Sequence, residues 1–253
     1  MLGVLIARAR QGRRTAPFPV RSPALPALFR GLPTIERAAC VDECRRCTEA
    51  CPTGAIHLTE GAAEVDLGRC LFCQECSRAC PNGALSYSRE HRLGATDRAS
   101  LRVDGSGTPP TLDALGGELK QLLGRSLRLR LVSAGGCNGC EVETNALGNI
   151  IYDAGRFGIE FTASPRHADG LLVTGPVTAN MRDALRATCD AVAEPKIVVA
   201  AGACAISGGP YIGHPEANDG VEGLLPIDLY IPGCPPHPYT LLDALLRFLG
   251  RGS

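Results

Sequence analysis

Gly135-Gly136-Cys137-Asn138-Gly139-Cys140 decides how this chain is read. Two cysteines with two residues between them stand on a glycine-rich turn. The turn directly follows an apolar run, Leu127 to Ala134, with the character of a strand. Two more cysteines follow similar runs far downstream. Cys204 comes after residues 196–203, and Cys234 comes after residues 228–233 and before Pro235-Pro236. In an open α/β sheet, ligands gather outside the carboxyl ends of the strands. Four cysteines so placed can converge on one point, and four thiolates at one point suit zinc or an iron–sulfur cluster.

Around this stretch, strand and helix patterns alternate. Candidate strands are 127–134, 158–163, 170–174, 196–202 and 228–231, and candidate helices are 141–155, 178–192 and 238–249. Leu171-Leu172-Val173 and Ile197-Val198-Val199 read as strands buried on both faces. The alternation predicts an α/β doubly wound domain, flavodoxin-like in plan, over 127–253.

Composition narrows the class. The chain has 253 residues, 45% of them hydrophobic, and no net formal charge. It can bury a real core and carries no nucleic-acid footprint overall. Its thirteen cysteines cluster in C-x-x-C spacings, which reads as metal ligation in a reducing compartment rather than a disulfide framework. No run of 18 or more apolar residues is present, so no membrane span is expected. Arg13-Arg14 is followed by prolines and Arg21 where an export signal needs an apolar helix. Met1 to Arg37 carries seven arginines against one glutamate, Glu36. This basic N-terminal extension, 1–37, suits a membrane surface or an acidic subunit, or is simply a solvated tail.

Residues 38–95 contain an internal repeat. One copy is Cys40-x3-Cys44-x2-Cys47-x3-Cys51-Pro52; the other is Cys70-x2-Cys73-x2-Cys76-x3-Cys80-Pro81. The last three cysteines of each copy are offset by 29 residues and the first by 30, so the first copy has one extra residue after Cys40. The pattern resembles a ferredoxin with two 4Fe–4S clusters. That resemblance implies an α+β ferredoxin-like domain in which the fourth cysteine of each run ligates the other cluster. Cys40, Cys44, Cys47 and Cys80 would then hold one cluster, and Cys70, Cys73, Cys76 and Cys51 the other. Zinc ribbons use paired C-x2-C knuckles instead. Short strands are expected at 56–58, 64–66 and 84–87, while His57 and His91 read as structural. Polar and Gly/Pro-rich residues mark 96–126 as a linker, with a short helix from Thr111 through Leu112, Leu115, Leu119 and Leu122 to Gly124.

The spacing Cys137-x2-Cys140-x63-Cys204-x29-Cys234-Pro-Pro resembles the small subunit of membrane-bound nickel–iron hydrogenases and its relative in respiratory Complex I. Ser164-Pro-Arg-His-Ala-Asp169, Leu172-Val-Thr-Gly-Pro-Val177 and Ile231-Pro-Gly-Cys-Pro-Pro236 support the resemblance. It implies one further 4Fe–4S cluster on Cys137, Cys140, Cys204 and Cys234, and so three in all. Cys137-Asn-Gly-Cys140 is the hydrogenase arrangement; the Complex I relative has adjacent cysteines. Cys-Asn-Gly-Cys-Glu-Val-Glu and the lead-in Phe29-Arg30-Gly31 are similar to the formate hydrogenlyase group.

The resemblance also implies a proton-passing glutamate near Cys140. Glu143 and Glu141 are the candidates, although both also fit as acids in a first helical turn. His167 and Arg166 suit an interface or a loop-fixing role. His237 suits a place beside the cluster, and His214 a loop. Cys189 falls at helical spacing with Leu185 and Val192 and reads as buried and apolar.

The expected function is electron transfer as the small subunit of a membrane-associated hydrogenase or formate hydrogenlyase-like complex, peripheral on the cytoplasmic side. Its implied partners are a catalytic large subunit, membrane subunits, and a further ferredoxin-type or formate dehydrogenase subunit. The chain has no nickel-site motif and no dinucleotide fingerprint of its own. A Complex I-like or nickel-free relative, a free-standing ferredoxin-type carrier and a zinc-held scaffold are the alternatives.

Overall fold

The computed structural model describes residues 2–40, 44–59, 62–124 and 126–252. In chain order the elements are α1 (Leu2–Gln11), β1 (Pro33–Ile35), α2 (Arg46–Glu49), β2 (Ile56–Thr59), β3 (Ala62–Asp66), α3 (Glu75–Ala79), β4 (Leu85–Tyr87), β5 (Arg102–Val103), α4 (Gly117–Leu123), β6 (Leu127–Ser133), α5 (Gly139–Ala146), β7 (Ile159–Phe161), β8 (Gly170–Thr174), α6 (Ala179–Asp190), β9 (Ile197–Ala201), α7 (Ala203–Ser207), β10 (Leu229–Ile231) and α8 (Pro238–Phe248).

The C-terminal half is a five-stranded parallel sheet in the order β10-β9-β8-β6-β7. Counted from its own first strand this is 5-4-3-1-2, the flavodoxin-like order, and its switch point lies between β6 and β8. Every residue of β8, β9 and β10 is buried, as expected for strands covered on both sides. Alternation divides the sheet between two cores. Val132, Leu171, Val173, Val198 and Ala200 point to the face covered by Leu185 and Cys189 of α6. Leu129, Leu172, Ile197, Val199 and Ile231 point to the face covered by α8. Cys189 is thus a core residue of α6, as its spacing predicts.

The N-terminal half consists of two small antiparallel sheets, β1–β4 and β2-β3-β5. It shares one continuous core with the first sheet face: Leu67, Ala95 and Leu101 pack in the same cluster as Val132, Leu171 and Ile206. Ala95 forms a bridge with Tyr230 of β10, and Ser207 Oγ donates to Gly68 O at 2.8 Å. Asp66 braces the N-terminal side of this seam. Its buried carboxylate accepts from Arg98 Nη1 and Nη2 at 2.9 and 2.8 Å, and from Gly68 N at 2.9 Å. Asp66→Ala would leave the Arg98 guanidinium, with 21% of its side chain exposed, without its partner. Breaking a buried pair on one side costs about 3 kcal/mol. A denaturation comparison of the two proteins at neutral pH is expected to show a loss of that size, against which a loss below about 1 kcal/mol would count.

Several expectations shift. The stretch 1–37 is more than a tail, because β1 pairs with β4 and Phe18 is 6% exposed in the second core. Arg156 Nη2 holds this segment through Ala16 O and Phe18 O at 2.8 and 2.9 Å. The first residues differ: α1 buries nothing, and Leu2, Val4 and Leu5 are exposed. The stretch expected as a linker contributes β5 and the fully buried Leu101 to the N-terminal half. The helix expected from Thr111 begins at Gly117, after Gly116, because two consecutive glycines delay nucleation. The helix expected over 141–155 ends at Ala146. Beyond it, Asn149 Oδ1 accepts from Ile151 N and Tyr152 N, a side-chain turn that competes with the helix.

Candidate metal centres

The four cysteines of the α/β half stand at the carboxyl ends of three parallel strands. Cys137 and Cys140 follow β6, Cys204 lies in the first turn after β9, and Cys234 follows β10. The β6 turn opens at the switch point, where Glu141 pins the start of α5. Its buried carboxylate accepts from Ser133 Oγ at 2.5 Å and Thr174 Oγ1 at 2.7 Å, the last residues of β6 and β8. The β9 turn passes close beneath Cys140: a Cβ on Gly202 would lie 2.5 Å from Cys140 Sγ.

These thiols feel one another. Burial raises the Cys140 thiol well above its ordinary value, and charge on Cys204, Glu141, Cys234 and Cys137 adds to this. Burial, then Cys234 and Cys137, push Cys204 up to about 12. Converging thiols that resist ionisation become thiolates when cations bind among them.

The repeat forms two further thiol-lined cavities. Cys40, Cys44, Cys47 and Cys80 line one. Cys51, Cys70, Cys73 and Cys76 line another. Each cavity therefore takes three cysteines from one copy and the fourth from the other. Cys40 reaches its cavity despite the extra residue; residues 41–43, where that residue falls, lie outside the described residues. Backbone amides point at the sulfurs: Ala55 N to Cys51 Sγ at 3.2 Å, Phe72 N to Cys70 Sγ at 3.3 Å, and Ala84 N to Cys80 Sγ at 3.2 Å. At Cys80 burial raises the thiol, but the amides of Ala84, Asn82, Leu85 and Gly83 outweigh it, and the group falls below its ordinary value. Burial pushes Cys70 up to about 12. Among the described residues, no group of three or more His, Cys, Asp or Glu side chains is drawn together as a site for a single metal ion. Four thiols around a cavity fit a polynuclear group such as 4Fe–4S, which takes one thiolate per iron.

The thiols of Cys70, Cys73, Cys76 and Cys51 adjoin both other sets. α2, which carries Cys47, packs on α3, which carries Cys76, and Phe72, inside the Cys70–Cys73 loop, lines one cavity with Cys234.

Residues 137–248 match the model of the family described as NADH ubiquinone oxidoreductase, 20 Kd subunit, and residues 39–85 match a 4Fe-4S dicluster domain. A probable membrane-bound hydrogenase subunit of Pyrococcus furiosus is 40% identical over 134 residues, covering 53% of this chain and 80% of the relative. The chain belongs to the NADH ubiquinone oxidoreductase 20 Kd subunit family. Formate hydrogenlyase subunit 7 of Escherichia coli is 40% identical over 152 residues, 58% of this chain and 60% of that protein. An NADH-quinone oxidoreductase subunit of Phocaeicola vulgatus is 46% identical over 109 residues, 43% of this chain and 55% of that one.

In this 20 Kd-type domain the two glutamates differ sharply. Glu141 is 6% exposed and its Oε1 accepts from two hydroxyls, the role of a structural anchor. Glu143 stands on the wall of a cavity with Cys234, Pro235 and His237, and burial alone raises its carboxyl. His237 caps α8, its Nδ1 accepting from Tyr239 N at 3.2 Å, and burial lowers its pKa. His167 and Arg166 lie in a short turn after β7, on a separate loop. His214 closes a loop, its Nδ1 accepting from Glu216 N. His91 lies between Phe18 and Tyr239, away from the thiols.

Tyr87, which the sequence places only on a strand, stands beside the middle set of thiols. Its hydroxyl lies 3.5 Å from Cys76 Sγ and 3.8 Å from Cys70 Sγ. The signal was a tyrosine on the strand that follows the last cysteine loop. A hydrogen bond to a charged acceptor contributes about 1.5 kcal/mol, and reduction adds negative charge to a cluster. Tyr87→Phe is therefore expected to lower the midpoint potential of the middle site by roughly 60 mV. Redox titration followed by EPR reads this; an unchanged potential would show that the hydroxyl faces elsewhere.

Proposed function

We propose that this chain is the electron-transferring small subunit of a membrane-associated hydrogenase or formate hydrogenlyase-like complex. It carries a ferredoxin-like domain with two 4Fe–4S clusters and a flavodoxin-like domain with a third. The ligand sets are Cys40, Cys44, Cys47 and Cys80; Cys51, Cys70, Cys73 and Cys76; and Cys137, Cys140, Cys204 and Cys234. The observation that carries the reading is three four-cysteine sets, the middle one adjoining both others. When bound, 4Fe–4S clusters supply one-electron storage at low potential.

The chain's own residues do the rest. The cysteines fix the three sites, the loop amides and Tyr87 stabilise negative charge on the sulfurs, and the packed walls limit access of water. Glu143 is the better candidate to pass a proton at the partner face, because its carboxyl is half-buried and free of the hydroxyl cage that holds Glu141. The proposed partners are a catalytic large subunit seated over Cys137 and Cys234, both exposed here, and membrane subunits on the cytoplasmic side. No described helix is long and apolar enough to cross a membrane. The second reading, a Complex I-like or nickel-free relative, is favoured by the likeness to the NADH-quinone oxidoreductase relative. The Cys137-x2-Cys140 spacing favours the hydrogenase branch.

The test is metal content and hydrogen turnover of the complex isolated from membranes through this chain. About twelve irons per chain, three 4Fe–4S clusters, with nickel in the large subunit and hydrogen evolution from a low-potential donor, is the expected result. Iron without nickel would select the second reading, and zinc in place of iron would end both.

A further inference from the structure

Arg30 ties the N-terminal segment to the middle site at the point where that site faces the α/β half. Its Nη1 donates to Phe72 O at 2.7 Å. Phe72 lies inside the Cys70–Cys73 loop and holds a φ of 53°, in the left-handed region that a bulky residue seldom occupies. Such a conformation persists only when its surroundings hold it. Two contacts do so here: the Phe72 N–H donates to Cys70 Sγ, and the Phe72 carbonyl is taken by Arg30. Arg30 and Phe72 also line one cavity with Cys234, Pro235, His237 and Glu143. The cavity therefore touches one thiol of the α/β site and the loop that carries two thiols of the middle site. None of the ion pairs among the described residues uses Arg30. A guanidinium stays charged at any working pH, so a fixed cation stands at the junction of two sets of thiolates.

We propose that Arg30 is the positioning residue for electron passage between the middle site and the α/β site. It holds the Cys70–Cys73 loop, and its charge favours the reduced state at both sites while leaving the site of Cys40, Cys44, Cys47 and Cys80 alone. A cluster that takes up one electron gains one negative charge, and a nearby cation lowers the cost of that gain. This rests on the three-cluster reading above.

The experiment is an EPR-monitored potentiometric titration of the complex carrying the native chain, Arg30→Gln and Arg30→Lys. A unit charge some 10 Å away, through an effective dielectric of about 20, biases an equilibrium about tenfold. In Arg30→Gln the middle and α/β sites are expected to be about tenfold less reduced at a given potential, a fall of roughly 59 mV each. The outer site keeps its potential, and Arg30→Lys restores most of the loss at the other two. Should Arg30→Gln lose iron, Leu28→Glu makes the same measurement. Leu28 is 87% exposed on the wall of the same cavity, so the variant adds a negative charge there and keeps the Arg30–Phe72 hydrogen bond. The same two potentials are expected to fall. Equal shifts at all three sites, or none at the inner two, would overturn the assignment of Arg30. A native chain without three separable cluster signals would overturn the three-cluster reading instead.

Discussion

Cys80→Ala is expected to strip about four of about twelve irons from the site of Cys40, Cys44 and Cys47, and to leave its own repeat's site loaded. Cys51→Ala is expected to do the reverse. Cys80 lines the cavity of the first copy, and its loop is tied there by Asn82 Nδ2 donating to Ala39 O at 3.0 Å. Cys51 lines the cavity of the second copy, where Thr53 lies beside it and donates to Arg69 O at 2.7 Å. Each short loop thus supplies three thiols to its own cavity and one to its neighbour's. Iron content with EPR of each variant decides the matter. If Cys80→Ala emptied the site of Cys70, Cys73 and Cys76, the exchange of ligands between copies would be wrong. Loss of the Cys80 site should leave the middle and α/β sites in contact but cut them off from the outer site. Reduction of the α/β site by an external donor is then expected to slow, since the remaining route lacks a relay centre.

A second large effect is expected at Gly202. It ends β9, has φ +92°, and a Cβ there would meet Cys140 Sγ at 2.5 Å. Its backbone cannot retreat, because Gly202 N donates to Ile231 O at 2.8 Å and Ala203 N to Gly233 O at 2.9 Å. Gly202→Ala therefore combines a backbone region that essentially only glycine adopts, at about 1–3 kcal/mol, with displacement of a ligand sulfur. The expected result is loss of about four irons, confined to the site of Cys137, Cys140, Cys204 and Cys234, and a lower midpoint of unfolding. Gly83→Ala is the control. Gly83 also has positive φ but meets nothing within 4 Å, so its cost is limited to the backbone, about 1 kcal/mol, with iron retained. A fully loaded Gly202→Ala protein would mean that the β9 turn does not hold Cys140.

The α/β half was legible because its strands are buried on both faces. A continuous apolar run such as Ile197 to Ala201 has few other uses, and the turns after β6, β9 and β10 carry the cysteines. The cysteine repeat was legible from spacing alone, and two cavities group its thiols in the way the resemblance implies. What the sequence hid were features created by contact between distant segments. β1 is three residues long and pairs with β4 across 52 positions, so no local period announces it. α7 is a five-residue turn whose helical form depends on Gly202 and Gly208 at its ends. Arg30 and Phe72 meet across 42 positions. Glu141 read first as a helix-start acid, and after Glu143 as a proton carrier. Only the two hydroxyls that close on it, Ser133 and Thr174, distinguish an anchor from a carrier.

The seam between the halves has a further consequence. Leu67, Ala95, Leu101 and Ile206 are each no more than 1% exposed, and they meet across it. Were the chain divided near residue 110, each piece would present an uncovered apolar strip and one side each of the Ala95–Tyr230 and Ser207–Gly68 contacts. The two pieces would need to find one another before either was fit for the crowded interior of a cell. Joined in one polypeptide, they are delivered in a one-to-one ratio by the ribosome itself, and the spacing of the relay is inherited from synthesis rather than negotiated between separately made parts.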